Sequence, residues 1–398
     1  MNILIINCGS SSLKYQLINS DSEEVLAKGI CERIGLAGSQ ITYQPGGGEK
    51  EEKVVAMPTH VEAIKLVLEV LTNEGTGVIK SLDEVGAIGH RVVHGGEAFT
   101  SSTLITEEAI KVIETCNDLA PIHNPANLIG IRACQELMPG CPMVGVFDTA
   151  FHQTMPRKAY LYALPYEYYQ KYKVRRFGFH GTSHSYVSQR VAKLLDRPYD
   201  QLKIIVCHLG NGSSIAAIKH GQSVDTSMGF TPLEGLIMGT RSGDMDPGLV
   251  QFLMHKENLN IDEMLDILNK KSGIAGLSGV SSDFRDVDNA AAAGNEQAAA
   301  ALEAFVYRIV KYIGAYSMGM GGLDAIAFTG GIGENAGKVR RQICEYLAFL
   351  GIQIDEETNG KRSQEMVIST PDSKVAVLVV PTNEELMIAR ETLRLIRR

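Results

Sequence analysis

The chain carries two versions of one short pattern. IINCGSSSLKYQL at 5–17 and IVCHLGNGSSIAAI at 205–218 each read as an apolar strand, a Gly/Ser turn and a second apolar strand. One supersecondary unit recurring after about 200 residues predicts two structurally related halves, each presenting one polar turn. The length of 398 residues agrees, since about 100–200 residues per domain implies two or three domains. No Pro/Ser-rich linker separates the halves, so arithmetic alone puts the boundary between about 150 and 200.

Strand-like and helix-like stretches alternate along the whole chain, the signature of an α/β fold. Residues 2–6 are a short apolar run before the first turn. Val61, Ile64, Val67, Leu68 and Leu71 recur at helical spacing behind a Thr59…Glu62 capping box. Asn124-Pro125 opens a helix with proline at its first position, and Asp246-Pro247 opens another in the same way. Met143–Phe147 is an apolar strand that ends at Asp148. Residues 291–320 suit a long buried helix. A Thr382…Glu385 capping box predicts a last helix whose basic end complements its dipole.

Hydrophobic residues make up 44% and charged residues 21%, which excludes a disordered or fibrous chain. The net charge of −8 is a poor match for nucleic acid or anionic lipid. Placed arginines, lysines and backbone N–H groups can still hold anions locally. No apolar run approaches the ~18 residues of a membrane span. MNILIINCGSSS has no basic leading region and turns polar at Asn7, so a secretory leader is not expected. The seven cysteines are odd in number and form no Cys-x-x-Cys, which points to a reducing, cytoplasmic compartment.

Three glycine-rich elements dominate the chemistry. Asn7-Cys8-Gly9-Ser10-Ser11-Ser12 and His208-Leu209-Gly210-Asn211-Gly212-Ser213-Ser214 occupy matched places in the two halves. Glycine permits close backbone approach, and hydroxyls with N–H groups can cradle phosphate or a hydrated metal. One such turn is an ordinary hairpin; two at matched positions favour a nucleotide clamp. The third, Thr329-Gly330-Gly331-Ile332-Gly333-Glu334-Asn335-Ala336, follows an apolar strand and precedes a helix, a good seat for a nucleotide.

Arg91 in GHRVVHGGE and Arg241 in MGTRSGDMDPG lie among glycines, where a planar guanidinium could be offered to a carboxylate or phosphate. The ordinary alternative is two surface arginines near turns. His90/His94 and His180/His184 have zinc-like spacing, but Val92-Val93 with Gly95-Gly96 is not helical, and no third ligand accompanies either pair. A single His180 donating to an anion is the better reading. Asp148 ends a buried strand, where α/β sheets place ligands. Asp283 and Arg285 could read an adenosine or simply cap a helix. Glu384 falls in the first turn of the last helix, where the dipole alone would favour a carboxylate.

Gly331-x-Gly333-x-x-Ala336 with Asp355 downstream also fits a dinucleotide fingerprint, so a nicotinamide-dependent dehydrogenase is an alternative. It explains neither the paired turns nor the arginines. Gly-x-x-x-x-Gly-Lys-Ser/Thr and the protein-kinase motifs are absent, so any ATP is bound in another way.

NILIINCGSSSLKYQL, GHRVVHGGE, PIHNPAN, FDTAFH, RRFGFHGTSH, VCHLGNGSSIAAIKHG, MGTRSGDMDPG, SSDFRD, FTGGIGEN and PTNEE, in this order, resemble the signature segments of acetate kinases across essentially the whole chain. The resemblance implies the fold of acetate and sugar kinases, heat-shock chaperone ATPases and actin. That fold has two duplicated, ribonuclease H-like domains with the active site in the cleft between them. It implies a first domain of residues 1–149 plus 382–398, and a second of 150–381 carrying the nucleotide site and the interface of a homodimer. The implied reaction interconverts ATP plus acetate with ADP plus acetyl phosphate, using Mg²⁺ or its substitute Mn²⁺.

Residue by residue, the resemblance implies Asn7 and Glu384 at the metal. Ser10, Ser12 and Lys14 form the first phosphate turn, and His208, Leu209, Gly210, Asn211 and Gly212 the second. Asp283, Phe284 and Arg285 hold the adenosine with Gly331, Ile332, Gly333, Glu334 and Asn335. Arg91 and Arg241 bracket acetate and the moving phosphoryl group, His180 donates to that group, and Asp148 is the active-site acid. Val93, Ile122, Phe179 and Pro232 form the methyl pocket, with Ile122 standing where the family often has leucine. A propionate kinase of the same family and a non-catalytic actin-like filament or chaperone are the remaining alternatives.

Overall fold

The computed structural model describes residues 1–121 and 123–397. By its internal contacts the chain divides into two compact units, Met1–Phe151 with Asn383–Arg398, and His152–Thr382.

The first unit is built on eight strands: β1 Asn2–Cys8, β2 Ser12–Asn19, β3 Val25–Glu32, β4 Gln40–Pro45, β5 Glu51–Val54, β6 Val85–Val92, β7 Thr103–Leu104 and β8 Met143–Phe147. They lie in the order β5-β4-β3-β2-β1-β6-β8-β7. The second has six: β9 Lys203–Leu209, β10 Ser213–Lys219, β11 Gln222–Thr226, β12 Ala325–Thr329, β13 Met366–Val367 and β14 Ala376–Val379. Their order is β11-β10-β9-β12-β14-β13.

The repeat seen in the sequence is a repeat of topology. In the first sheet β1–β2 and β2–β3 are antiparallel, while β1–β6 and β6–β8 are parallel. In the second, β9–β10 and β10–β11 are antiparallel, while β9–β12 and β12–β14 are parallel. The two polar turns join equivalent hairpins, so Asn7 opposite Lys14 in one corresponds to His208 opposite Ser214 in the other. The class is α/β with two such sheets.

Both sheets are covered on both faces, and their central strands are accordingly apolar along most of their length, with polar residues toward the ends that carry Asn7, Arg91 and His208. Along β1, Leu4 and Ile6 point one way, toward Ile64, Val67, Ala133 and Cys134. These belong to the helices His60–Leu71 and Asn124–Leu137. Ile3 and Ile5 point the other way, toward Ile388 and Ala389 on the helix Glu384–Ile396. In the second unit, Ile205 and Cys207 of β9 meet Phe305, Ile309 and Ile313 of the long helix Glu296–Met320. The helix Gly181–Leu194 buries Val187 and Val191.

The Thr59–Glu62 capping box forms as expected. The last helix starts differently: its cap is Asn383, whose side chain accepts from the Leu386 N–H. The Thr382…Glu385 spacing is therefore one residue out of register. Thr382 instead donates its hydroxyl to Ser183 Oγ at 2.8 Å. Among the described residues no helix is long and apolar enough to cross a membrane.

Candidate functional site

In the first unit, three parallel strands bring their C-terminal ends side by side. Asn7 lies near the end of β1, Arg91 near the end of β6, and Asp148 directly after β8. Ligands gather at such strand ends. Arg91 Nε donates to Asp148 Oδ1 at 3.2 Å and NH2 to Oδ2 at 2.5 Å, a bidentate fork, while NH1 reaches Asn7 Oδ1 at 3.3 Å. Asp148 is 2% exposed. Burial opposes the Arg91 charge, but Asp148, Glu384 and Glu385 outweigh it and hold the guanidinium protonated.

Glu384, the first residue of the last helix, belongs to the same group of charges. Its carboxyl is raised to about 7 by burial and by repulsion from Asp148 and Glu385, against the attraction of Arg91 and Lys14. The helix dipole alone does not account for this residue: its surroundings work against ionisation. Asn7 and Glu384 offer hard oxygen donors, and a divalent cation is what a carboxylate so disfavoured would welcome. The set fits Mg²⁺, which is commonly held by one or two carboxylates, water and substrate phosphates.

The first polar turn is tied down from several sides. Gly9 N–H donates to Ser12 O at 2.8 Å, and His60 Nε2 lies 2.8 Å from Gly9 O. Ser10 and Lys14 are exposed beside it, and Ser12 is half-buried. Two asparagines of PIHNPAN, buried on their helix, anchor the next loop. Asn127 accepts from the Val93 N–H at 3.0 Å and donates to Cys8 O at 2.7 Å. Asn124 accepts from the His94 N–H and donates back to His94 O. Neither belongs to the site residues expected from the sequence, although an asparagine pair at i, i+3 on a buried helical face is a readable signal of loop anchoring. Val93 is buried; Ile122 falls outside the described residues.

The second unit assembles a different set. His180 stands at the start of the helix Gly181–Leu194 with a left-handed backbone, φ 56°. Its ring stacks on His208, centroids 4.3 Å apart. A Cβ built on Gly212 would lie in ordinary contact with both, 3.5 Å from His180 Cε1 and 3.7 Å from Arg241 NH1. The second turn, His180 and Arg241 are therefore neighbours. Arg241 donates to Pro232 O at 3.2 Å and meets no carboxylate among the described residues. Burial alone pulls its pKa down, as expected of a cation whose counter-charge is to come from a ligand. Phe179 is buried, its carbonyl 3.0 Å from His152 Nε2.

The same unit holds a cavity of about 830 Å³ whose wall includes Gly210, Asn211, Asp283, Phe284, Arg285 and Gly331, within the size range of small-molecule sites. Ile332 and Asn335 also line it. His208, Leu209, Gly212, Gly333 and Glu334 do not. Glu334 turns back into the strand–helix junction, accepting from the Gly330 N–H at 2.9 Å. Asp283 is a helix cap and more: its carboxylate takes Arg285 Nε at 3.0 Å and NH2 at 2.6 Å, which lowers it to about 2. Leu302 and Glu303, from a helix whose sequence reads only as buried and apolar, and Gln342 from the helix Gly337–Tyr346 also line the cavity. Arg340, fully buried, holds the Gly333 carbonyl and Asn359.

The dinucleotide reading fails on Asp355. It caps a short helix, accepting from the Thr358 N–H at 2.8 Å, and does not face the glycine loop's cavity. The two histidine pairs make no metal site, and no cluster of three or more His, Cys, Asp or Glu suited to a metal occurs among the described residues. All seven cysteines are free thiols.

Comparison with known proteins agrees with this geometry. The acetokinase family model matches residues 2–390. The chain is 65% identical to an acetate kinase of Agathobacter rectalis, covering 100% of both chains. The crystal structure of Porphyromonas gingivalis acetate kinase superposes with a TM-score of 0.96 at 52% identity, covering 99% of each chain. A propionate kinase from Francisella tularensis superposes with a TM-score of 0.92 at 43% identity, again over 99% of each. With the duplicated topology, the guanidinium–carboxylate group at the strand ends and a match along nearly its whole length, the chain belongs to the acetokinase family.

Proposed function

We propose that this chain is a kinase that transfers the γ-phosphoryl group of ATP to acetate, reversibly, giving acetyl phosphate and ADP. The observation that carries the reading is the Arg91–Asp148 fork with Asn7 and Glu384 beside it, in a chain 65% identical to an acetate kinase over its full length.

Phosphoryl transfer asks for in-line placement and for positive charge around the transferred group, with little covalent help. Arg91 has five N–H donors; Asp148 and Asn7 engage three, leaving two for an anionic substrate. Arg241 and His180 supply donors to the phosphoryl group. Val93, Ile122, Phe179 and Pro232 receive the methyl group. The cavity beside Asp283–Arg285 and Gly331–Asn335 takes the adenosine, and the turns with Ser10, Ser12 and Lys14 and with His208–Gly212 take the phosphates. Mg²⁺, or Mn²⁺ in its stead, would be held by Asn7 and Glu384 partly through water, and when bound it neutralises phosphate charge. Asp148 orients Arg91 and abstracts no proton. Acetate, with a pKa near that of a glutamate, about 4.3, is already ionised at neutral pH.

Residues 1–149 with 382–398, and 150–381, act as the two actin-like domains. The second forms a homodimer, a reading supported by Leu249 and Phe252, exposed on a helix that buries none of its residues. Free thiols support a reducing, cytoplasmic setting.

Trapping the acyl phosphate as hydroxamate, with ATP and a panel of acetate, propionate and butyrate, tests the reading. Turnover fastest with acetate is expected. A preference for propionate would favour the second reading, for which the propionate kinase likeness speaks. No acyl phosphate with any of them would leave a non-catalytic actin-like protein.

A further inference from the structure

His180 belongs to a larger group of histidines. Its ring lies 6.5 Å from that of His184, and His184 lies 6.3 Å from His208 and 5.6 Å from His152. His184 and Ser214 are both fully buried. Ser214 Oγ stands between two of the rings, 2.9 Å from His180 Nδ1 and 2.7 Å from His184 Nε2.

A serine hydroxyl has one proton to donate. Its two lone pairs could accept from both imidazoles, but these are the partners of Ser214 Oγ among the described residues, so its own buried proton is satisfied only if one imidazole gives a proton to Ser214 and the other receives the proton of Ser214. The far nitrogen decides which. His184 Nδ1 is buried and has no hydrogen-bond partner among the described residues. A proton left there would be a buried donor without an acceptor, which is costlier than a bare lone pair. Burial, reinforced by His152 and His208, also pushes His184 well below the usual imidazole range, so it is neutral with a single proton. That proton sits on Nε2 and is donated to Ser214. Ser214 then turns its own proton to His180 Nδ1, and His180 keeps its proton on Nε2. The position a Gly212 Cβ would take lies 3.6 Å from His180 Nε2 and 3.7 Å from Arg241 NH1, so this nitrogen faces the same ground as the arginine.

We propose that Ser214 and His184 are positioning residues that fix His180 as the Nε2–H tautomer and so aim its N–H, alongside Arg241, at the transferred phosphoryl group. The proposal rests on the assignment of His180 to that group made above. The relay also works against an imidazolium at His180. A proton on Nδ1 would have to be donated to Ser214, which would force Ser214 to donate to His184 and strand the His184 proton on Nδ1.

Long-range proton–nitrogen correlation on the full chain labelled with ¹⁵N-histidine reads the tautomer directly, the His180 signal being assigned by its loss in His180→Gln. At neutral pH, His180 is expected to show an unprotonated Nδ1 and a protonated Nε2. Ser214→Ala should mix the tautomers and lower kcat about 10- to 100-fold, the usual cost of losing the partner that orients a functional histidine, with little change in KM for ATP. Ser214→Thr, which keeps the hydroxyl, should restore most of the rate. A proton on His180 Nδ1 in the unaltered protein overturns the relay, and needs no variant to be seen. So does Ser214→Ala with unchanged tautomer and rate. Full activity of His180→Gln, whatever the spectrum, overturns instead the assignment of His180 to the reaction.

Discussion

Arg91 and Asp148 come from neighbouring parallel strands whose register holds them together. Arg91 pairs with Val146, and the Asp148 N–H donates to Val92 O at 3.0 Å, so the carboxylate meets the guanidinium as the strand ends. Asp148→Asn removes the charge and half of the fork. Removing one partner of a buried ion pair costs about 3–5 kcal/mol, so both kcat and thermal stability should fall. The kcat–pH profiles of wild type and variant, with metal varied, check the role: a wild-type ionisation that disappears in Asp148→Asn at unchanged metal affinity would make Asp148 a base.

Arg241→Lys keeps a charge but loses the planar fork, and Lys is a poor substitute at a bidentate site. A loss in kcat of about 100-fold or more is expected, in line with removing one donor to a developing charge. Steady-state kinetics in both directions measure it, and near-wild-type values would remove Arg241 from the site.

Val93 should confine the acyl group to acetate. One methylene in an apolar pocket is worth about 1–3 kcal/mol, roughly 10–200-fold in kcat/KM. Val93→Ala should narrow the acetate-to-propionate ratio. An unchanged ratio would take Val93 out of the pocket.

Two adjacent glycines should answer differently. A Cβ on Gly331 meets nothing within 4 Å and would project into the cavity, so Gly331→Val should raise KM for ATP and leave the melting temperature nearly unchanged. Gly330 has φ +76° and a Cβ there would lie 2.7 Å from Leu209 O, so Gly330→Ala should destabilise by about 1–3 kcal/mol. Thermal unfolding and ATP kinetics on both variants separate the two effects.

Acid should unfold this protein steeply. Burial holds His90 at about 3 and His94 and His152 at about 4. Below the ordinary histidine value of about 6.5, the unfolded chain binds protons that the folded chain refuses, so stability is full above that pH and is lost as pH falls toward 4. Each such histidine contributes a slope of about 1.4 kcal/mol per pH unit. Unfolding followed between about pH 7 and 5 should show this, and His90→Asn should lower the slope by one histidine's share.

What could be read from the sequence was what local chemistry determines. The hairpin turns, the Thr59 cap, the strand ending at Asp148 and the helix from Gly337 all lie where their residues put them, because turn and cap residues act within a few positions; the glycine-rich stretch before that helix, expected as a loop, is itself a short helix, Gly330–Asn335. Glu384 shows the limit of such local reading. Its helix is close by, but Asp148 and Arg91, which set its ionisation, are more than two hundred residues away in the chain. Nothing local to Arg340 marks it for burial; the Gly333 carbonyl and the Asn359 side chain, from separate segments, make it a buried brace. Leu302 and Glu303 reach the cavity only because their helix packs where it does.

The first compact unit takes its last helix from the far end of the chain. During synthesis, Ile3 and Ile5 leave the ribosome long before Ile388 and Ala389 exist to cover them. Burying an isoleucine is worth roughly 1.5–3 kcal/mol, so the early portion must wait with an apolar sheet face uncovered, open to holdase chaperones or to aggregation. Glu384 arrives with that same helix. The segment that covers this sheet face thus also delivers a proposed metal ligand, so a nascent chain gains that proposed ligand only with the helix that covers Ile3 and Ile5.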